Sequence, residues 1–341
     1  MNAVVEAARL LLEPSRVAVV SGGVSSEHHV SIASGRGVEE AAASLGHDVV
    51  SCIIAEDGSW NTDGVPGLSA AVEALRSSDV AIAAMHGLGG EDGTIQGFFE
   101  TIGVPYVGSG VLSSAMCLDK ELTKRILAEN GLTVARAVSA RGAELDDPRA
   151  VAGRAIANGM ALPVFVKPAR GGSSHGVTRV EHVDALPDAI STAAEVDRFV
   201  LIEEVLVGRE IDLSVIELPD GSVHAGPSLE ILSDPEEPFF TATAKYDSDG
   251  TRFEVPAPVD GSVARQLEDA AITAFHVLHC RGLARVDFFV TDDGRLLVNE
   301  INTFPGFTPA SQYPRMWAGV GIDYAGVVNV LLSTAVARQP H

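Results

Sequence analysis

Apolar residues follow two rhythms along the chain. Short unbroken runs of Val, Ile and Ala end at glycine or charge and read as buried strands; longer stretches with apolar positions every three to four residues read as amphipathic helices. Residues 16–21 (RVAVVS, stopping at Gly22-Gly23), 48–55 and 79–85 are of the first kind, with helices predicted over 31–45 and about 70–76. Continuous apolar strands alternating with helices imply a parallel sheet covered on both faces. Ligands bind such sheets at the C-terminal strand ends, where Ser21-Gly22-Gly23 and His86-Gly87 fall. Val4, Val5, Ala8, Leu11 and Leu12 sit at helical spacing within residues 1–15. Lacking a basic start and a small-residue cleavage site, this segment reads as an amphipathic helix, not a signal peptide.

Further on, helices are predicted over 118–130, 148–158, 262–279 and 323–335, and strands over 133–138, 163–167, 177–180, 199–204 and 210–218. Residues 283–290 and 296–301 flank a turn at Asp293-Gly294 and read as a β-hairpin. Residues 233–250 (SDPEEPFFTATAKYDSDG) form a long, polar, turn-rich loop of the kind that closes over a site.

Composition narrows the partners. Of 341 residues 46% are hydrophobic and 21% charged, as in globular proteins, and no run reaches the length of a membrane span. A net charge of −22 argues against nucleic acid, which needs a basic face. The 24 basic residues comprise four lysines (Lys120, Lys124, Lys167, Lys245) and hence 20 arginines. Lysines this rare are candidates for work that needs a compact ammonium charge, such as holding phosphate. Cys52, Cys117 and Cys280 are far apart in apolar surroundings, which fits buried thiols in a reducing cytoplasm rather than disulfides or zinc.

Four segments carry candidate chemistry. The loop 170–176 (RGGSSHG) lies between two strands, so it is neither a Walker loop nor a dinucleotide fingerprint. Its glycines let backbone N–H groups approach an anion, Ser173 and Ser174 add donors, and Lys167 sits just upstream; the alternative is a flexible hairpin turn. Glu300 and Asn302 are two apart on a strand and share a face. Asp287 on the partner strand could join them as oxygen ligands for magnesium, and Arg285, on the face of Asp287, could stabilise developing negative charge; the alternative is a cross-strand ion pair. Gly306 follows closely and can offer a backbone N–H. Glu203-Glu204 ends one strand and Glu210 opens the next, a connection suited to an adenine edge and ribose hydroxyls, or else an ordinary turn. Glu27 and His86 follow strands of the first section, where a carboxylate could hold a substrate ammonium; a lone His there is otherwise a hydrogen-bonded turn residue.

In chain order, residues 22–35 (GGVSSEHHVSIASG), 85–97 (MHGLGGEDGTIQG), 103–120 (GVPYVGSGVLSSAMCLDK), 166–177 (VKPARGGSSHGV), 200–212 (VLIEEVLVGREID), 242–247 (ATAKYD), 282–288 (GLARVDF) and 299–314 (NEINTFPGFTPASQYP) closely resemble the D-alanine–D-alanine ligase family of the ATP-grasp superfamily. The resemblance implies an α/β (α+β) fold of three domains: an N-terminal parallel-sheet domain over 1–110, and two β-rich domains over 111–205 and 206–341 that clamp ATP. It implies ATP-dependent ligation of two D-alanines through an acyl phosphate for peptidoglycan precursors, with two Mg²⁺ ions, replaceable by Mn²⁺, as metal, by a cytoplasmic homodimer. By the same resemblance Lys120, Lys167 and Lys245 contact phosphates, Ser174 belongs to the ATP site, Glu203, Glu204 and Leu206 border adenine, and Glu210 meets the ribose. Asp287, Glu300 and Asn302 are metal ligands, Asn302 also lying at the substrate. Glu27 holds the first ammonium and forms a hydrogen-bonded set with Ser173 and Tyr246. His86 lies near the substrates, Arg285 and the Gly306 N–H stabilise the tetrahedral intermediate, and Ser311 contacts the second carboxylate.

Four features depart from the family pattern: Thr241-Ala242-Thr243 before Ala-Lys-Tyr, His175 for a small apolar residue, Gln312 for Met or Leu beside the second substrate, and the N-terminal extension. Tyr246 is kept, which the resemblance associates with an amine nucleophile and a dipeptide product. Gln312 and the altered loop favour a rival, a specialised ligase with another second D-amino acid. A nucleotide-binding regulator without activity is a further rival, opposed by the retained metal ligands, Arg285 and lysines.

Overall fold

The computed structural model describes residues 1–172, 175–232 and 252–338. Its strands form three sheets. A short helix, α1 (Asn2–Arg9), precedes β1 (Arg16–Gly22), whose run Val17 to Val20 is buried on both faces. Strands β2 (Asp48–Ile54) and β5 (Val80–Ala83) flank β1 in parallel, and a hairpin of β3 (Trp60–Thr62) and β4 (Val65–Pro66) extends the β2 edge. The sheet order is β4-β3-β2-β1-β5. Val17 and Val19 pack into one core with Val327, Val330 and Leu331, and Ala18 and Val20 into another with Leu75 and Phe99. This is the doubly covered parallel sheet that the apolar runs imply; the β3–β4 hairpin is too short to show in them. Helices α2 (His28–Ser44), α3 (Leu68–Arg76) and α4 (Thr94–Ile102) connect the strands and lead out of the sheet.

The predicted helix over 118–130 is α6 (Lys120–Glu129), and a further helix not predicted from the sequence, α5 (Val111–Leu118), comes just before it. They break at Asp119, whose backbone is extended and whose carboxylate accepts from Leu122 N at 3.0 Å as an N-cap. The four-stranded second sheet has the order β6-β9-β7-β8, from β6 (Ala137–Arg141), β7 (Val164–Pro168), β8 (Thr178–Val180) and β9 (Phe199–Glu204), all pairs antiparallel. Helices α7 (Pro148–Ala157) and α8 (Leu186–Val196) contribute to its core. The expected strand over 133–138 starts later, because Val134 bridges to Val298 in the third sheet instead.

That third sheet is antiparallel, in the order β12-β11-β10-β13-β14, from β10 (Gly208–Glu217), β11 (Val223–Leu232), β12 (Arg252–Glu254), β13 (Leu283–Thr291) and β14 (Leu296–Asn302). Helix α9 (Gly261–Val277) packs on it, and α10 (Gln312–Ala318) and α11 (Tyr324–Ala337) follow. Asn329, buried within α11, accepts from Leu12 N at 3.1 Å and donates to Leu10 O at 3.0 Å, which ties down the N-terminal segment. Among the described residues no helix is long and apolar enough to cross a membrane.

Gly22 ends β1 with φ +87° and donates its N–H to Ser31 Oγ at 2.7 Å, while an added Cβ would run into the Ile54 carbonyl oxygen. Gly22→Ala is therefore expected to cost about 2 kcal/mol or more of stability, read as a fall in Tm on thermal denaturation.

Candidate active site

The three sheets meet around one cleft of about 1430 Å³. The first sheet brings Glu27, just ahead of α2, and His86, just past β5. Ser31 Oγ donates to Ala84 O at 2.7 Å, and Ser25 Oγ donates to His86 O at 2.8 Å, so the ends of β1 and β5 are tied together. His86 is buried, with Nε2 2.9 Å from Ser34 Oγ and Nδ1 3.5 Å from Glu91 Oε1. The Glu27 carboxylate reaches the glycine loop of the second sheet: a Cβ on Gly172 would stand 3.3 Å from Glu27 Oε1. Glycine at 172 permits that approach.

From the second sheet, Lys167 on β7 donates to Glu203 Oε1 on β9 at 2.7 Å. Lys124 on α6 lies 2.8 Å from the other oxygen of the same carboxylate. Burial would push the Glu203 carboxyl up, but Lys167 and Lys124 together bring it below its ordinary range. Lys120, opening α6, donates to Gly171 O at 2.7 Å and stands 3.9 Å from Glu300. Arg170 is held away by Asp197, to which it donates through N, Nε and Nη2. Glu204 accepts from Arg136 N at 2.8 Å, and Glu204, Leu206, Glu210 and His175 all line the cleft.

The third sheet carries the densest charge. Arg285 pairs with Asn302 in register, and Asp287 with Glu300, across β13 and β14. Side chains two apart on one strand share a face, and Arg285 uses this to donate from Nε and Nη2 to the two oxygens of Asp287, both at 2.7 Å. Its Nη1 donates to Gln312 Oε1 at 3.0 Å, and Asn302 donates to Asp287 Oδ2 at 3.1 Å. Asp212 lies opposite Asp287 on β10, 3.4 Å from Arg285 Nε. Burial, with Asp287 close by, holds the Asp212 carboxyl well above the usual range. Burial would lower the Arg285 pKa, but Asp287 and Asp212 more than reverse this and keep the guanidinium charged. Arg285 is therefore already engaged with the residue expected to bind metal. Gly306 lies against Ser311, whose Oγ accepts from Thr308 N at 3.0 Å. Gln312 opens α10, and its buried Nε2 has no hydrogen-bond partner among the described residues.

Among the described residues no group of three His, Cys, Asp or Glu side chains gathers as a metal site. Asp287, Glu300 and Asn302 nevertheless offer two carboxylates and an amide carbonyl, the hard oxygen donors that magnesium takes. Glu27, His86, Lys120, Lys167, Glu203, Glu204, Leu206, Glu210, Arg285, Asp287, Glu300, Asn302, Gly306, Ser311 and Gln312 all border the one cleft. Ser173, Ser174, Lys245, Tyr246 and the loop 233–250 lie outside the described residues. Sequence reasoning missed Asp212 and Glu91. Lys124 was flagged only by the scarcity of lysine, and Asp212 could have been found from its two-residue offset to Glu210 on one strand.

Similarity searches agree with this architecture. The chain matches the family model described as D-ala D-ala ligase C-terminus over residues 126–333, and the D-ala D-ala ligase N-terminus over 66–109. It is 43% identical to proteins named D-alanine–D-alanine ligase from Mycobacterium tuberculosis (strain CDC 1551 / Oshkosh), covering 95% of this chain and 96% of that one, and from Rhodococcus jostii (strain RHA1), covering 95% and 97%. Among solved structures it resembles the VanG D-Ala:D-Ser ligase from Enterococcus faecalis, with a TM-score of 0.82 and 30% identity over 95% of this chain and 100% of that one. It also resembles the D-alanine-D-alanine ligase from Coxiella burnetii, with a TM-score of 0.80 and 28% identity over 95% and 94%. The fold is that of the ATP-grasp ligases. Within that class, the chain belongs to the D-alanine–D-alanine ligase family.

Proposed function

We propose that the chain joins two D-alanines into D-alanyl-D-alanine with ATP, releasing ADP and phosphate, for peptidoglycan precursors. One observation carries the reading: groups suited to an ammonium, to phosphates and to a developing oxyanion converge on one cleft of about 1430 Å³. That is roomier than the ~300–1000 Å³ of a typical single-ligand pocket. The name shared by relatives 43% identical over 95% of the chain supports it.

In this reading Glu27 holds the ammonium of the first D-alanine, with His86 beside it. Lys120 and Lys167 hold ATP phosphates, Glu203, Glu204 and Leu206 border adenine, and Glu210 meets the ribose. The first carboxylate attacks the γ-phosphorus, ADP leaves, and an acyl phosphate remains. The second amine attacks its carbonyl carbon while Ser311 holds the second carboxylate; the C–N bond forms and phosphate departs. Arg285 and the Gly306 N–H meet the oxygen on which charge gathers. Asp287, Glu300 and Asn302 would hold two Mg²⁺ ions, replaceable by Mn²⁺, which when bound supply positive charge for the phosphoryl oxygens. The reading takes the chain as three domains, 1–110, 111–205 and 206–341, working as a cytoplasmic homodimer.

A second reading keeps the chemistry and changes the second substrate. Gln312 borders the cleft, and its amide Nε2 has no acceptor among the described residues; such a donor favours a D-amino acid with a polar side chain, such as D-serine. Phosphate release from ATP and Mg²⁺ with single and paired D- and L-amino acids, with products identified by mass, separates the readings. D-alanine alone is expected to give phosphate and dipeptide in equal yield, and Gln312→Leu to lower any D-serine incorporation about ten-fold. Turnover only with a mixed pair favours the second reading. No release with any acid, despite ATP binding, leaves a regulator.

A further inference from the structure

Lys124 is a buried charge without an assigned role. It is one of four lysines, is 6% exposed, and lies outside the lining of the cleft. Its ammonium is 2.8 Å from Glu203 Oε2, while Lys167, which does line the cleft, donates to Glu203 Oε1 at 2.7 Å. One carboxylate, itself 4% exposed, separates a lysine sealed behind it from a lysine in front. At 2.8 Å the Lys124 ammonium acts on the carboxylate as a close counter-charge.

A buried carboxylate stripped of its counter-ion is strongly unfavourable. Were Lys167 the sole partner of Glu203, its transfer to a nucleotide phosphate would strand that carboxylate, and ATP would bind against the penalty. We propose that Lys124 is a positioning residue for nucleotide binding: it stays on Glu203 as a permanent counter-ion and so frees Lys167 to exchange Glu203 for a phosphate. The inference rests on the ATP-dependent reading above. Two lysines on one carboxylate leave a surplus positive charge, which the arriving phosphate neutralises. Burial holds the Lys124 ammonium below its ordinary value, and Glu203 offsets only part of this, so the lysine depends on this carboxylate as the carboxylate depends on it.

The test compares wild type, Lys124→Met, Glu203→Gln, the Lys124→Met/Glu203→Gln double variant and Lys167→Met. Wild-type protein that neither binds ATP nor releases phosphate overturns the ATP reading itself, before Lys124 is at issue. With that activity in place, Lys124→Met is expected to raise the Kd and KM for ATP about ten-fold or more, with kcat changed by less than about two-fold. The rise is expected to vanish in the Glu203→Gln background, where no carboxylate needs a counter-ion. An unchanged Kd, or a rise that persists in that background, overturns the proposal. Lys167→Met reproduces the state in which the front lysine has left, and its Tm is expected to stay within about 2 °C of wild type. A Lys124→Met protein that fails to fold beside a stable Lys167→Met supports the proposal. A large Tm loss in Lys167→Met overturns it, because Lys167 would then be the partner Glu203 cannot lose.

Discussion

Arg285→Met is expected to lower D-alanine-dependent phosphate release by about 10²–10³-fold and to destabilise the fold by about 3–5 kcal/mol. Both effects come from one guanidinium. It is the group proposed above to meet the charge of the tetrahedral intermediate, and it is also the cation between Asp287 and Asp212. Without it two adjacent carboxylates in a buried setting face each other, and Gln312 Oε1 loses its donor. Dipeptide yield and Tm measured on the same preparation check both. Arg285→Lys is expected to recover part of the stability, since one ammonium can still sit between the carboxylates. It is not expected to recover turnover, because a point charge cannot reproduce the fork that meets Asp287 and Gln312 together. Turnover retained in Arg285→Met would remove Arg285 from the reaction.

Asp287→Asn is expected to separate these effects. Activity falls by about 10²-fold or more, because a proposed metal ligand loses its charge. Stability is held or raised, because Asp287 adds its charge to burial in pushing the Asp212 carboxyl up. Arg285 keeps Asp212 as its partner in the variant. A Mg²⁺ titration of phosphate release, with Tm measured alongside, reads both quantities. A Tm drop like that of Arg285→Met would mean that the fold depends on the Arg285–Asp287 pair, not on the guanidinium's balance of two acids. Unchanged turnover at all Mg²⁺ concentrations would exclude Asp287 as a ligand.

Local pattern carried much of this in advance. The apolar runs before Gly22 and His86 marked strand ends, and the two-residue offsets Arg285/Asp287 and Glu300/Asn302 placed four side chains on adjoining strands before any fold was known. Eight ordered motifs supplied the family. What stayed hidden was pairing between distant elements. No periodicity relates Lys124 on α6 to Glu203 on β9, or sets Asp212 across from Asp287. A buried charge looks in sequence like a solvated one, and only its partner distinguishes them. Val134 leaves its expected strand for a tertiary reason, the bridge to Val298, which local propensity cannot report.

A cleft walled by three sheets sets the terms for anything designed to block it. A blocker resting on one wall can be escaped by drift in that wall alone. One that grips Lys167 and Arg285 together must be escaped on two walls, at side chains that neutralise buried acids. Resistance by substitution would carry a penalty in folding at Arg285 and a penalty in nucleotide binding at Lys167, so breadth of contact across the walls would serve an inhibitor better than strength at any single point.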